Sequence, residues 1–391
     1  MEFGNPINDL IKSLLDSETA FPPRLLYQFS NLSPDDLHVL GAAWPTIPVE
    51  RRKNLLMDLT ELGEKDHLLM FEDVGKIGLQ DGDSEVVTAA IDLLFEAEDK
   101  SLIPTFLKLL GDQTRSEQVR AAAANALGPY VYLGELDKLR PEVQEGIESG
   151  LLAAHTSDPS DLVRRRALES LGYSGSDEIA ALLRLACARD NEEWLESALF
   201  AMGRSADEQW EQTILENLDN KNSAVCVQAV HAAGELSLTR ARSRLLRKID
   251  HEPNEDVRHE IIWALSQIGG EEVESKLESL LESAGSDEEA QIIEDALDAL
   301  NFTNGNESFD LMDVPIESTR SHEGHHHEEN DEDRSYEDED ANADEDFDDE
   351  ENEEGENRMQ RYNSEWERYV GEDEDEDAED DEYDDEDEDE R

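Results

Sequence analysis

Very little in this sequence invites covalent or metal chemistry. Only two of its 391 residues are cysteine, Cys187 and Cys226. That is too few for a disulfide framework, and their spacing fits no metal-ligand motif. Both fall in apolar helical patterns, so they read as plain buried thiols in a reducing compartment. Basic residues are scarce too: 33 Lys and Arg stand against 101 Asp and Glu, for a formal net charge of -68. A chain so acidic repels nucleic acid and anionic membranes, and the partners it attracts are expected to be proteins with basic segments. Long hydrophobic runs are missing as well, none approaching the roughly 20 residues a membrane helix needs. The opening stretch MEFGNPINDLIKSLL has neither the positive start nor the unbroken apolar core of a signal peptide. A cytoplasmic protein is the expectation.

The charge that is present is distributed unevenly. About 40 of the acids and about six of the bases follow Pro315, so roughly half the net charge sits in the last fifth of the chain. Apolar residues are too few there to offset the entropy of folding, and residues 303–391 are expected to form a disordered, low-complexity acidic tail. The preceding part is rich in Leu, Ala and Ile, enough to bury a core.

That part repeats itself. DSEVVTAAIDLLF from Asp83, SEQVRAAAANALG from Ser116 and SDLVRRRALESLG from Ser160 are variants of one stretch. NEEWLESALFAMG, NSAVCVQAVHAAG, NEDVRHEIIWALSQIG and a weaker SDEEAQIIEDALD follow. Anchored on Val86, Val119, Val163, Trp194, Val225, Val257 and Glu289, the copies recur every 31 to 33 residues, with one longer step of 44. Three residues ahead of each anchor stands Asp83, Ser116, Ser160, Asn191, Asn222, Asn254 or Ser286, all able to cap a helix. Nine residues past it, Gly128, Gly172, Gly203 and Gly234 fall where a helix ends on a left-handed residue, and Gly269 comes slightly later. Apolar positions between cap and glycine keep helical spacing. A second helical run then follows, such as EIAALLRLACA or ARSRLLRKI. Each unit is a two-helix hairpin whose apolar face only its neighbours can cover, which makes the fold an all-α solenoid over residues 81–302.

Upstream, Asn5-Pro6, Ser33-Pro34 and Ile47-Pro48 read as helix starts with proline in the first turn, and residues 1–80 as an irregular helical cap. The long step contains GPYVYLGELDKLRPEVQEGIESGLLAA, read as a loop carrying Tyr130 and Tyr132 followed by a helix from about Pro141. Burial against the neighbouring unit is the expected fate of these tyrosines, with a partner contact as the alternative.

The pattern D/N-x-x-V-R-x-x-A-x-x-A-L-G resembles HEAT repeats, in the short variety found in phycobilin-lyase-like proteins, over residues 83 to about 301. The resemblance implies that the arginine after the anchor valine, here Arg120, Arg164 and Arg258, braces an acidic residue of an adjoining repeat. The chain departs from the pattern at Trp194-Leu195 and Val225-Cys226, which interrupts any such ladder. Among HEAT-like proteins, deoxyhypusine hydroxylase assembles a di-iron centre from His-Glu pairs on several facing repeats. Here a His-Glu pair, His259-Glu260, occurs once. The other copies hold Thr88-Ala89, Ala121-Ala122, Arg165-Arg166, Glu196-Ser197 and Val227-Gln228 at those places, and one pair cannot supply a converging ligand set.

Other candidates weaken on inspection. LGYSGSDE around Ser174 lacks the second glycine of a nucleophile elbow, having Ser176 there, and follows a helix instead of a strand. His322, His325, His326 and His327 form a histidine tract without a folded frame. Arg240, Arg242, Arg244, Arg247 and Lys248 make one basic cluster, either a solvated face or an anion-binding patch. In the tail, RMQRYNSEWERYV would place Met359, Tyr362, Trp366 and Val370 on one helical face, with Tyr369 beside them. This reads as an element that folds on binding; FDLMDVPI, from Phe309, is a weaker second candidate. The expectation is a non-catalytic protein-protein scaffold with no cofactor and no metal. Two alternatives stay open: an enzyme or enzyme subunit resembling bilin lyases or deoxyhypusine hydroxylase, and a self-regulated binder whose tail docks on the basic repeat.

Overall fold

The structure, a computed structural model, describes residues 6–305 apart from residue 18. These residues form eighteen α-helices and short 3-10 turns, with no strand among them. The first four helices are α1 (Pro6–Leu15), α2 (Pro34–Ala43), α3 (Val49–Lys65) and α4 (Glu72–Gly78). Hairpins follow: α5 (Ser84–Leu93) with α6 (Ile103–Gly111), then α7 (Glu117–Ala126) and α8 (Gly128–Glu135) with α9 (Pro141–Ser157). Next come α10 (Asp161–Leu171) with α11 (Asp177–Cys187), and α12 (Glu192–Arg204) with α13 (Glu211–Asn217). The series ends with α14 (Ser223–Glu235) and α15 (Thr239–Lys248), α16 (Glu255–Ile268) and α17 (Glu271–Leu281), and α18 (Asp287–Gly305).

The anchor positions explain the stacking. Val86, Val119, Val163, Trp194, Val225 and Val257 are all buried, and one apolar core runs from Ile7 to Leu300. The first helices α3, α5, α7, α10, α12, α14, α16 and α18 pack side by side in one layer. Each second helix lies against the first helix of the following unit, as α4 does on α5, α11 on α12 and α17 on α18. No unit closes its own core, which is the defining property of a solenoid. Because α3 packs on α5 as later first helices pack on their neighbours, the two-layer arrangement begins inside the region read as a cap.

Six of the seven cap residues work as their chemistry dictates. Asp83, Ser116, Asn191, Asn222, Asn254 and Ser286 each accept a backbone N–H of the first turn. Ser160 makes no such side-chain bond. Its own N–H instead donates to Asp158 at 2.9 Å, and Asp158 is held by Arg120.

The glycines differ from expectation. Gly172 ends α10 in right-handed geometry, Gly203 and Gly234 lie inside α12 and α14, and Gly128 opens α8. Of the five, only Gly269 has positive φ, at 63°. The other four are contact points between layers. A Cβ on Gly172 would lie 2.7 Å from the Ala201 Cα, on Gly203 3.0 Å from that of Ala232, and on Gly234 3.0 Å from that of Ala264. Gly128 meets Ser170 in the same way. Glycine nine places after the anchor thus meets a small residue seven places after the next one, and first helices close to backbone contact. Second helices from α11 on touch each other far less.

The long step also differs from expectation. Gly128–Glu135 is a helix, not a loop, running on from α7 with Pro129 in its first turn, where a missing N–H costs nothing. Tyr130 is buried on it, and its hydroxyl donates to the Ala97 carbonyl at 2.9 Å, with the Asp99 carbonyl 3.1 Å away.

Candidate interaction surfaces

The residues three, six and ten places after each anchor share one helical face, opposite the side that meets the second helices. In α12, α14 and α16 the sixth place holds Phe200, His231 and Trp263. Phe200 stacks on His231 with ring centroids 6.0 Å apart, and His231 on Trp263 at 4.6 Å. The row continues backward: the Arg204 guanidinium lies 4.2 Å from the Phe200 centroid and 4.7 Å from that of Tyr173. Tyr173 in turn lies 5.4 Å from Tyr132 on α8. Five side chains from successive units therefore join through Arg204 in one row. Tyr132, Tyr173, Phe200 and Trp263 are half-buried, while Arg204 and His231 are buried. Cation–π and stacking contacts of this kind are worth about 0.5–1.5 kcal/mol each. Polar partners flank the row. Glu260 bonds His231 Nδ1 at 3.0 Å, and Arg166 grips Glu169 through both carboxylate oxygens at 2.8 and 2.9 Å.

The His259-Glu260 pair is thereby accounted for. Its carboxylate is engaged by the histidine of the preceding repeat, and His259 is half-buried. No group of three or more His, Cys, Asp or Glu among the described residues could hold a metal ion. Ser174 accepts the Ser176 N–H, and Ser176 caps α11, so the pair forms an ordinary turn. Cys187 is half-buried and Cys226 buried, both free, and burial pushes the Cys187 thiol up to about 11.

The arginine ladder is partial. Arg120 clamps Asp158 with bonds of 2.8 and 2.9 Å, the two side chains 7% and 1% exposed. Burial alone would raise the Asp158 pKa, but hydrogen bonds from Arg120, the Ser160 N–H and Gln113 hold it below the ordinary range. Arg52 and Asp81 form a similarly buried ion pair two steps earlier, at 3.1 Å. Arg258 pairs with Glu289, whereas Arg164 turns to Asp161 of its own helix. At the departure from the pattern, Trp194 fills the valine place and carries the Arg189 guanidinium 3.6 Å from its ring centroid, with His155 against its edge.

The basic cluster on α15 is largely neutralised within the fold. Arg240 pairs with Glu211 at 2.6 Å, Arg244 with Asp219 at 2.8 Å, and Lys248 with Glu252 at 2.8 Å. Arg242 donates to the Ile268 carbonyl at 3.1 Å, and Arg247 is exposed. Met359, Tyr362, Trp366, Tyr369 and Val370, the histidine tract and the Phe309 segment lie outside the described residues.

A second surface lies near the start of the stack. The end of α3, the loop of residues 66–71 and the end of α5 enclose a groove of about 410 Å³. Leu69, Met70 and Leu93 line it, and its carboxylates are Glu64, Glu72, Asp92, Glu96 and Glu98. Leu68 beside it is 87% exposed and Met70 54%.

Stacked helical hairpins sharing one elongated core define an α-solenoid. Within it, residues 211–301 match the family model described as HEAT repeats, and the chain carries HEAT repeats. No curated protein matches the chain significantly. Among solved structures, Escherichia coli YibA is 18% identical, covering 72% of this chain and 97% of its own, with a TM-score of 0.38. The CpcE–CpcF phycocyanin lyase complex from Nostoc is 19% identical over 59% of this chain and 95% of that chain, with a TM-score of 0.40. Human deoxyhypusine hydroxylase is 18% identical over 68% and 96%, with a TM-score of 0.29. Among the described residues no helix is long and apolar enough to cross a membrane.

Sequence reasoning had passed over Phe200, His231 and Trp263. The signal was present: three ring side chains occupy one register place in consecutive copies. Tyr132, Tyr173 and Arg204 were less accessible, because they sit at other places and join the row only through packing.

Proposed function

We propose that the protein is a non-catalytic scaffold that binds a protein partner along its first-helix face, in the cytoplasm. The observation that carries this reading is the continuous row Tyr132–Tyr173–Arg204–Phe200–His231–Trp263. Half-buried aromatic rings and a stacked arginine are the side chains that dominate protein interfaces when fully desolvated. First helices pack on one another more closely than second helices do, which favours concavity on this side, a shape suited to holding a partner's extended segment or helix. The acidic tail adds long-range attraction for basic segments, which speeds encounter more than it tightens binding.

The test is a crosslinking pull-down with the full-length protein and with Phe200→Ala and Trp263→Ala variants. Loss of a desolvated aromatic anchor costs about 2 kcal/mol or more, a roughly 30-fold drop in affinity. Leu185→Ser, at a 64%-exposed position on α11 among the second helices, is the control and retains binding. Retention of every partner by both aromatic variants overturns the assignment of the face. Stoichiometric iron or a bound chromophore in purified protein would reverse the non-catalytic reading in favour of an enzyme. Repeating the pull-down with and without the tail, at low and high salt, isolates the tail's share; unchanged partners in every condition remove it.

A further inference from the structure

We propose that the tail segment Arg358–Val370 docks in the acid-rimmed groove at α3, α4 and α5 of its own chain. The two surfaces match in chemistry. The groove offers an apolar floor of Leu69, Met70 and Leu93 beneath five carboxylates, with only His67 among its lining side chains able to carry positive charge. Lys76 approaches Glu72 at 3.8 Å, and Glu64, Asp92 and Glu96 also have partners within the fold, so the groove attracts cations through its summed charge. The segment reverses this pattern. It carries Met359, Tyr362, Trp366 and Tyr369 with three arginines against two glutamates, inside a tail otherwise dominated by Asp and Glu. Arg358, Arg361 and Arg368 are half of all the bases after Gly305.

Exposure also points to an occupant. Leu68 and Met70 stand out in solvent beside the groove at 87% and 54%. Burying a tryptophan and a methionine there removes both apolar side chains from water, which favours docking. The alternative dock within the chain, the basic helix α15, has Arg240, Arg244 and Lys248 already paired with Glu211, Asp219 and Glu252. Its cluster has the same sign as the segment's arginines and repels them, whereas the groove's carboxylates have the opposite sign.

The connection is long enough. Residues 306–357 separate the last described helix from the segment. Six helix-to-helix steps of about 8–10 Å take the layer from α18 back to α5, a span of roughly 50–60 Å. A random-coil chain of that many residues has a root-mean-square reach of about 40 Å, and like charges lengthen such a chain. Tethering sets an effective concentration of roughly 1 mM, so an intrinsic Kd of about 100 µM gives about tenfold occupancy over the free state. Screening beyond about 8 Å at physiological salt confines the attraction to direct contact.

The experiment is hydrogen exchange on the full-length protein, on the double variant Tyr362→Ala/Trp366→Ala, and on Met70→Arg. Docking predicts that amides of residues 64–72 and 92–98 exchange about tenfold faster in both variants than in the parent, independent of protein concentration. The tail variant leaves residues 6–305 untouched, so its outcome stands whatever Met70→Arg does to folding. Equal exchange in parent and tail variant overturns the proposal. So does protection that rises with protein concentration, which would assign the contact to a second copy, or protection that appears on α15 instead.

Discussion

Two Gly→Ala substitutions should move stability in opposite directions, although helix propensity alone gives them the same sign. Gly172 ends α10 with φ −56°, a conformation alanine adopts freely. A Cβ there would stand 2.7 Å from both the Cα and the carbonyl oxygen of Ala201, and 2.9 Å from its Cβ. Carbon atoms pack at about 3.5–4.0 Å, so α10 and α12 must separate by nearly 1 Å. The obstruction is backbone, which cannot rotate away. Overpacking of this kind costs about 1–3 kcal/mol, against a gain of roughly 0.5–1 from removing glycine. Gly172→Ala should therefore destabilise by about 1–2 kcal/mol, lowering the melting midpoint by roughly 2–6 °C for a folded part of this size. Gly146 lies inside α9 with no atom within 4 Å of where its Cβ would go. Gly146→Ala should stabilise by about 0.5–1 kcal/mol and raise the midpoint by roughly 1–3 °C. Thermal melts of the two full-length variants followed by circular dichroism decide the matter. A rise for both would refute the view that these glycines exist to bring first helices into contact.

Other expectations follow from single interactions. Replacing Arg120 by Met leaves Asp158 buried without its partner and should cost about 3–5 kcal/mol near neutral pH. Because Asp158 titrates below its ordinary value in the parent, the parent keeps this contribution above about pH 4 and loses it as pH falls through the depressed pKa. Denaturant midpoints of parent and variant should therefore converge in acid, and a pH-independent gap would contradict the ion-pair reading. Asn254→Ala removes a cap bonded to the Val257 N–H and should cost about 1 kcal/mol, whereas Ser160→Ala, which loses no cap bond, should cost far less. Equal losses in urea titration would show that the cap geometry is irrelevant. With its thiol raised to about 11, Cys187 should react with iodoacetamide at pH 7.5 far more slowly in the folded than in the denatured protein.

The repeat was legible in the sequence because a solenoid's constraint is local and recurrent. The anchor residues, the caps and the helical spacing of the apolar face must reappear in each unit, since every unit solves the same burial problem. Asp83, Asn191, Asn222 and Asn254 announce their helices in one dimension, and the anchor valines announce the core. The near-neighbour meaning of the ladder arginines was legible in part. Arg120 and Arg258 reach across to Asp158 and Glu289, but Arg164 does not, and nothing near Val163-Arg164 in the sequence separates the cases.

What pattern alone determined, then, was that helices form, where they begin and that they must stack. The role of the glycines was decided only in three dimensions. A glycine after a helical run is compatible with a left-handed stop and with close packing, and the choice depends on Ala201, Ala232 and Ala264, each about 30 residues away. The same holds for the row from Tyr132 to Trp263 and for the groove under Met70. Their members come from different units, and the distances between them are set by how closely the layers approach. Local sequence specifies the hairpin, whereas the surfaces proposed for binding arise from packing between hairpins.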